Sequence, residues 1–161
     1  MRLAGILRDS IVDGVGIRDV IFFQGCLHNC PGCHNQHTHS LKGGVEIDPV
    51  ELADQLKDSS NDITISGGEP LLQIGELLTL LQHLYFTTEK KIWLYTGNRL
   101  AEISESVLEQ LAKLRVEVLV DGRFEIDKKS DDLLYRGSSN QRLIDLKNTL
   151  FENEVVLWSE E

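Results

Sequence analysis

The stretch "ITISGGEP" (63–70) decides the fold class of this chain of 161 residues, because an apolar, β-rich run in it stops at a pair of glycines. Three other runs have the same form: "VIFFQG" (20–25), "IWLYTG" (92–97) and "VEVLVDG" (116–122). Nearly continuous hydrophobic character is typical of strands that are covered on both faces. We therefore predict a sheet built from these strands, each followed by a glycine turn.

Helical patterns separate the predicted strands, over 48–58, 71–85 and 101–114. Asp48 is placed to cap the first of these helices, with Pro49 at its first position. Strands and helices that alternate at the spacing of βαβ units predict an α/β fold with a parallel sheet. A full eight-stranded (βα) barrel needs about 200 residues or more. We therefore predict a single domain, residues 1–161, folded as a partial, open (βα) barrel.

Two regions outside this alternation are harder to place. "RLIDL" (142–146) and "EVVLW" (154–158) are predicted to form a final pair of short strands. "VDGVGIR" (12–18) contains a Gly-x-Gly pattern, but we expect it to precede the first strand. It therefore fails the test for a nucleotide-binding turn, in which the glycines follow a strand.

Composition narrows the function classes. Hydrophobic residues make up 41% of the chain, which is ample for a packed core. The net charge of −10 would repel phosphate backbones, so we expect no nucleic-acid partner. No apolar run is long enough to cross a bilayer, and "MRLAGILRDS" lacks the apolar stretch of a secretory signal. We therefore expect no membrane association and a cytoplasmic protein, in which clustered cysteines indicate metal binding rather than disulfides.

The stretch "GCLHNCPGCHNQH" (25–37) holds all three cysteines of the chain, spaced Cys26-x3-Cys30-x2-Cys33. Chemistry in parallel sheets collects at the carboxyl ends of the strands, so the glycine turns should converge on this loop. A zinc site would need a fourth ligand from one of the nearby histidines, which are His28, His34, His37 and His39. A 4Fe–4S cluster would have three irons held and one open to a small molecule. Three inert structural cysteines are the third alternative.

The cysteine spacing resembles the signature of the radical S-adenosylmethionine superfamily. The resemblance implies that Cys26, Cys30 and Cys33 hold a 4Fe–4S cluster whose open iron binds S-adenosyl-L-methionine. One electron from the reduced cluster then cleaves the cofactor to methionine and a 5′-deoxyadenosyl radical. It also implies a barrel of the radical S-adenosylmethionine type, shortened relative to a full TIM barrel. The chain departs from the usual pattern at Gly32, where the superfamily usually has an aromatic residue.

Further stretches narrow the resemblance to one branch of the superfamily. In chain order they are "VDGVGIR" (12–18), "GCLHNCPGCHN" (25–35), "SGGEP" (66–70), "YTG" (95–97), "LVDGRF" (119–124) and "YRGSSNQRLID" (135–145). Together they resemble the branch that activates the anaerobic (class III) ribonucleoside-triphosphate reductase. This implies that the chain abstracts hydrogen from a glycine of the reductase large subunit, leaving a glycyl radical. Because cleavage of a sulfonium needs a low potential, a flavodoxin- or ferredoxin-type electron donor is implied.

Cofactor-binding candidates come partly from the residues and partly from this resemblance. A glycine pair lets backbone approach a ligand closely, and Glu69 could accept hydrogen bonds from an ammonium group. The resemblance implies that "GGE" meets the amino end of S-adenosylmethionine and that the backbone around Cys33 lies along the adenine. Asp121 could bond ribose hydroxyls, position the partner or cap a turn. The full set is Gly32, Cys33, His34, Gly67, Gly68, Glu69, Thr96, Asp121, Arg136, Ser138 and Asn140.

No catalytic residue is predicted beyond the cluster and its cofactor, and His37, His39 and His83 are expected to be ordinary surface or packing residues. Two alternative functions remain at this point. One is a small-molecule radical S-adenosylmethionine enzyme similar to 7-carboxy-7-deazaguanine synthase. The other is a non-catalytic zinc-binding module.

Overall fold

The structure of the chain, a computed structural model, describes residues 1–160. Its strands are β1 (Arg2–Ser10), β2 (Arg18–Phe23), β3 (Val45–Glu46), β4 (Asp62–Gly67), β5 (Ile92–Tyr95), β6 (Val116–Asp121) and β7 (Arg142–Asp145). Its α-helices are α1 (Pro49–Leu56), α2 (Ile74–Thr87), α3 (Glu105–Lys113) and α4 (Leu146–Glu152). The predicted α/β class is confirmed.

The strands form one seven-stranded sheet in the order β3-β1-β2-β4-β5-β6-β7. The four strands predicted from the glycine turns, β2, β4, β5 and β6, are neighbours and run parallel. Antiparallel strands flank them, with β1 beside β2 and β7 beside β6. The carboxyl ends of the parallel strands, and the glycine turns after them, therefore meet at one edge of the sheet.

Both faces of the parallel strands are covered, one by an apolar core with the helices and the other by polar and aromatic side chains. Ile63 and Ile65 on β4 belong to the main core, which includes buried leucines from all four helices. Side chains alternate along a strand, and Thr64 between them bonds Arg18 at 2.8 Å. On this second face Trp93 packs against Tyr135 and Trp158, with ring centroids 5.3 and 5.0 Å apart.

Helix boundaries follow from the caps. The Asp48 side chain accepts bonds from the N–H groups of the first turn of α1, as predicted, and Pro49 is its first residue. The helix predicted over 71–85 begins only at Ile74, because residues 70–73 form a 3₁₀ turn capped by Glu69. Likewise α3 begins after its cap Ser104, whose hydroxyl accepts the Val107 N–H.

Two sequence predictions are wrong. "VDGVGIR" does not precede the first strand, because β1 comes before it and pairs antiparallel with β2. The segment 154–158 is not a strand: it lies beside β7, but only Leu157 forms a bridge, to Ile144. "RLIDL" does form a strand, β7, over Arg142–Asp145.

Among the helices of residues 1–160, none combines the length and the apolar character that crossing a membrane requires.

Candidate functional site

A cavity of about 400 Å³ lies at the carboxyl edge of the parallel strands. Its walls come from the ends of β4, β5 and β6, from the loop of residues 26–39 and from residues 129–141. All three cysteines line it. The predicted convergence of the glycine turns on the cysteine loop is therefore present in the structure.

The cysteine loop is held to the sheet at both of its limbs. The Gly25 N–H donates to the Thr38 carbonyl at 2.6 Å, and the Cys26 N–H donates to the His39 carbonyl at 3.1 Å. The Gly25 carbonyl in turn accepts the Glu69 N–H at 2.7 Å. These bonds close the loop at its base, so its tip with Cys30 and Cys33 projects over the strand ends.

The thiols are free and partly buried, and their surroundings favour a bound cation. Burial raises the pKa of Cys26, and the charges of Glu69 and the other cysteines raise it further. Burial also raises the pKa of Cys30, against the opposing effects of the Phe124 N–H and Arg123. A positively charged metal centre would offset this cost of forming thiolates.

The donor set fits an iron–sulfur cluster. Within residues 1–160, no three His, Cys, Asp or Glu side chains are gathered as ligands around a single ion. A zinc ion needs four ligands about 2.0–2.3 Å from one point. In a 4Fe–4S cluster each thiolate binds a different iron, so three cysteines around one cavity suffice without meeting at a point.

The glycines of "SGGEP" are required by close backbone packing. A Cβ on Gly67 would clash with the backbone of Phe23, and one on Gly68 would clash with the Gly25 carbonyl. Both glycines also line the cavity. They therefore bring β4 against β2 directly beneath the cysteine loop and leave bare backbone facing the cavity.

Glu69 is placed differently from its neighbours. Its side chain is only 2% exposed, and it is not part of the cavity wall. Its carboxylate lies 2.7 Å from His28 Nε2 and 2.8 Å from both Thr96 Oγ1 and the Gly97 N–H. From the sequence, His28 is a candidate only as a possible fourth ligand of a zinc site. Its position between the first two cysteines is the only local signal for it.

An aromatic surface lies beside the last two cysteines. The ring of Phe124, just after β6, is 5.2 Å from the ring of His34, and both residues line the cavity. A Cβ on Gly32 would come within 2.7 Å of Ile126 Cδ1 and 3.5 Å of Phe124 Cε1. The space that an aromatic residue at position 32 would need is therefore filled by Phe124 and Ile126. Phe124 ends the stretch "LVDGRF" (119–124), in which no local pattern marks it as a site residue.

The remaining candidates divide into two groups. Thr96 and Arg136 line the cavity together with Cys33, His34, Gly67 and Gly68. The second group does not line the cavity, and each member makes a hydrogen bond within the fold; it consists of Asp121, Ser138 and Asn140. The Asp121 carboxylate is bound by Arg142 and the Leu100 N–H. The Ser138 hydroxyl accepts the Glu125 N–H, and the Asn140 amide donates to the Arg123 carbonyl. Asn140 Oδ1 is buried without a hydrogen-bond partner.

One cation on the cavity wall is held in place by an ion pair. The Arg123 guanidinium bonds both oxygens of Glu102, at 3.1 and 3.2 Å. Hydrogen bonds from Arg123 and then from Arg99 lower the pKa of Glu102 to about 2. The carboxylate therefore stays ionised at neutral pH and orients Arg123 beside the cysteine loop.

Comparison with known proteins adds to this geometry. Residues 12–144 match a family model described as a 4Fe-4S single cluster domain. The chain is 39% identical over 142 residues to the anaerobic ribonucleoside-triphosphate reductase-activating protein of Salmonella typhi, covering 82% of this chain and 90% of that protein. The proteins of the same name from Escherichia coli (strain K12) and Enterobacteria phage T4 are each 38% identical, over 82% and 83% of this chain and 90% and 87% of theirs.

Proposed function

This chain belongs to the family of anaerobic ribonucleoside-triphosphate reductase-activating proteins, and on that premise we propose that it generates the glycyl radical of such a reductase. One observation carries the proposal: three free thiols line a single cavity at the carboxyl edge of the parallel strands. The family model supports a 4Fe–4S cluster at these thiols. The large subunit of the reductase is the proposed protein substrate.

We further propose S-adenosyl-L-methionine as the second cofactor. With both groups bound, the cluster would supply the electron for reductive cleavage of S-adenosylmethionine, and this chemistry would remove hydrogen from a glycine of the reductase. A cavity of about 400 Å³ falls in the range of small-ligand sites. Exposed backbone at Gly67 and Gly68 suits the amino acid end of the cofactor. Phe124 and His34 suit the flat adenine ring.

The chain's own residues position the reactants and keep water away. Cys26, Cys30 and Cys33 would hold the cluster, while Arg136 offers a polar contact on the cavity wall. Thr96 lines the same wall, but its hydroxyl is already bonded to Glu69 and Asn98. We also propose that the sheet is an open partial barrel, which would leave the cavity accessible to a glycine loop of another protein. The electron donor is proposed to be a flavodoxin- or ferredoxin-type protein, in the reducing cytoplasm where free thiols persist.

The test is anaerobic reconstitution with iron and sulfide, followed by reduction with S-adenosylmethionine present. We expect iron and sulfide in the protein, release of 5′-deoxyadenosine, and a glycyl doublet in electron paramagnetic resonance once the cognate reductase is added. Cys30→Ala should abolish 5′-deoxyadenosine formation. The control Leu27→Ala, at an exposed side chain of the same loop, should retain it.

Each contrary result is distinct. A colourless protein with about one zinc per chain and no iron after reconstitution would favour the zinc-binding module. Cleavage of S-adenosylmethionine with an intact cluster but no doublet would favour a small-molecule enzyme of the superfamily.

A further inference from the structure

The carboxylate of Glu69 joins three separate segments of the chain. His28 Nε2 reaches it from the cysteine loop, the Thr96 hydroxyl and Gly97 N–H from the end of β5, and the Leu71 N–H from the turn after β4. These contacts are 2.7–3.0 Å long. An ionised carboxylate has about four acceptor sites, and four donors already surround this one. It is also only 2% exposed and lies outside the cavity wall, so it is not accessible to the ammonium group of a ligand in the cavity.

His28 reaches Glu69 only because position 97 is a glycine. A Cβ there would lie 2.5 Å from His28 Cδ2 and 2.7 Å from Nε2. The imidazole therefore packs closely against Gly97, and the His28 side chain is only 13% exposed. Because a carboxylate oxygen can only accept, Nε2 is the donor in this contact.

We propose that His28 and Glu69 are positioning residues, which lock the stretch between Cys26 and Cys30 onto the carboxyl ends of β4 and β5. The base of the loop is held by backbone bonds at Gly25 and Cys26, whereas this side-chain bond holds the loop further toward its tip. It sets where the cysteines lie above the backbone of Gly67 and Gly68. Glu69 thus acts on the loop through His28 and not directly on a ligand.

The first test uses the protein without metal or cofactor, so it does not depend on the proposed function. Amide hydrogen exchange is measured under reducing, anaerobic conditions in His28→Phe, Glu69→Gln and Gly97→Ala. A buried hydrogen bond to a charged group is strong enough that its loss should speed exchange of amides in residues 26–35 by about tenfold or more. His28→Gln, which keeps a donor, should lie between wild type and His28→Phe. The control His83→Phe, at an exposed histidine of α2, should exchange as wild type does.

The second test concerns the cofactor and rests on the proposed function. S-adenosylmethionine affinity is measured by equilibrium dialysis on the reconstituted proteins. Loss of positioning predicts that all three variants bind more weakly, by similar factors. If only Glu69→Gln binds more weakly and all three exchange as wild type does, Glu69 contacts the ligand directly and the inference is wrong. If wild type itself binds no S-adenosylmethionine while loop exchange still rises in the variants, the proposed function fails and the positioning role stands.

Discussion

Arg18 is buried without a carboxylate partner, and its replacement by methionine tests how the second face of the sheet is held together. The side chain is 1% exposed, and none of the ion pairs in the described chain includes it. Its guanidinium donates to Thr64 Oγ1 at 2.8 Å and to the carbonyls of Val15, Ile63 and Lys91 at 3.0, 2.8 and 3.1 Å. It also lies 5.4 Å from the centroid of Trp93.

The expected loss follows from opposing contributions. A hydrogen bond to a charged group is worth about 1.5–3 kcal/mol, so these four represent a gross stabilisation of roughly 6–12 kcal/mol. Burying the ion offsets several kcal/mol of this, and burial correspondingly lowers the pKa of Arg18. Methionine keeps an apolar side chain against Trp93 but donates no hydrogen bond. We therefore expect Arg18→Met to reduce the free energy of unfolding by about 3 kcal/mol.

The assay is urea unfolding of the metal-free protein, followed by circular dichroism. If the dependence of the unfolding free energy on urea concentration (the m value) is unchanged, the loss of stability appears as a lower urea concentration at the midpoint of unfolding. The matched control is Arg99→Met, because that side chain is 73% exposed and pairs only at the surface. It should change stability by less than about 1 kcal/mol. Equal midpoints for Arg18→Met and wild type would refute the claim that the hydrogen bonds of Arg18 stabilise this face of the sheet.

Two other changes test the surroundings of the cysteine loop. Gly32→Ala places a Cβ 2.7 Å from Ile126 at a φ of 73°, a conformation that costs a non-glycine residue about 1–2 kcal/mol. We expect less iron bound after reconstitution and partial recovery on adding Ile126→Ala, whereas wild-type iron content in Gly32→Ala would contradict the packing. For Glu102, the pKa of about 2 lies below its unfolded value, so its stabilising effect is present above about pH 4.3 and is lost as the pH falls toward 2. The urea midpoints of wild type and Glu102→Gln should therefore converge as the pH falls from about 4.3 toward 2, and a constant difference over this range would argue against the pair with Arg123.

The parts of the fold visible in the sequence are those that local pattern encodes. Apolar runs that stop at glycines identify the parallel strands, because burial on both faces leaves a continuous hydrophobic signal. β1 has no such signal: Ile6 and Leu7 are exposed, and only the two-residue β3 pairs with its outer side. Segment 154–158 is the reverse case: its composition is typical of a strand, but it forms only one β-bridge, between Leu157 and Ile144.

The residues of the candidate site also differ in whether a local sequence pattern identifies them. The sequence predicts that the cysteines and the glycine pair lie together, and all of them line one cavity. The roles of His28 and Phe124 are not predicted, because their partners lie far along the chain: Glu69 is 41 residues from His28, and Phe124 packs against His34 of the cysteine loop. Asp121 is predicted as a site residue because it is polar and lies at a strand end, yet its carboxylate accepts two hydrogen bonds from Arg142. Which polar group is free to act depends on tertiary neighbours that no local motif records.

The contact between Trp93 and Trp158 also has an optical consequence. These are the only tryptophans in the sequence, and they occupy one aromatic cluster. Trp93 is fully buried on β5, whereas Trp158 is carried by the final segment, which two backbone hydrogen bonds join to Leu143 and Asp145. Release of that segment would move the half-buried Trp158 fully into water, whereas Trp93 would stay on β5 against Tyr135. The chain's intrinsic fluorescence can thus distinguish detachment of its end from collapse of the sheet.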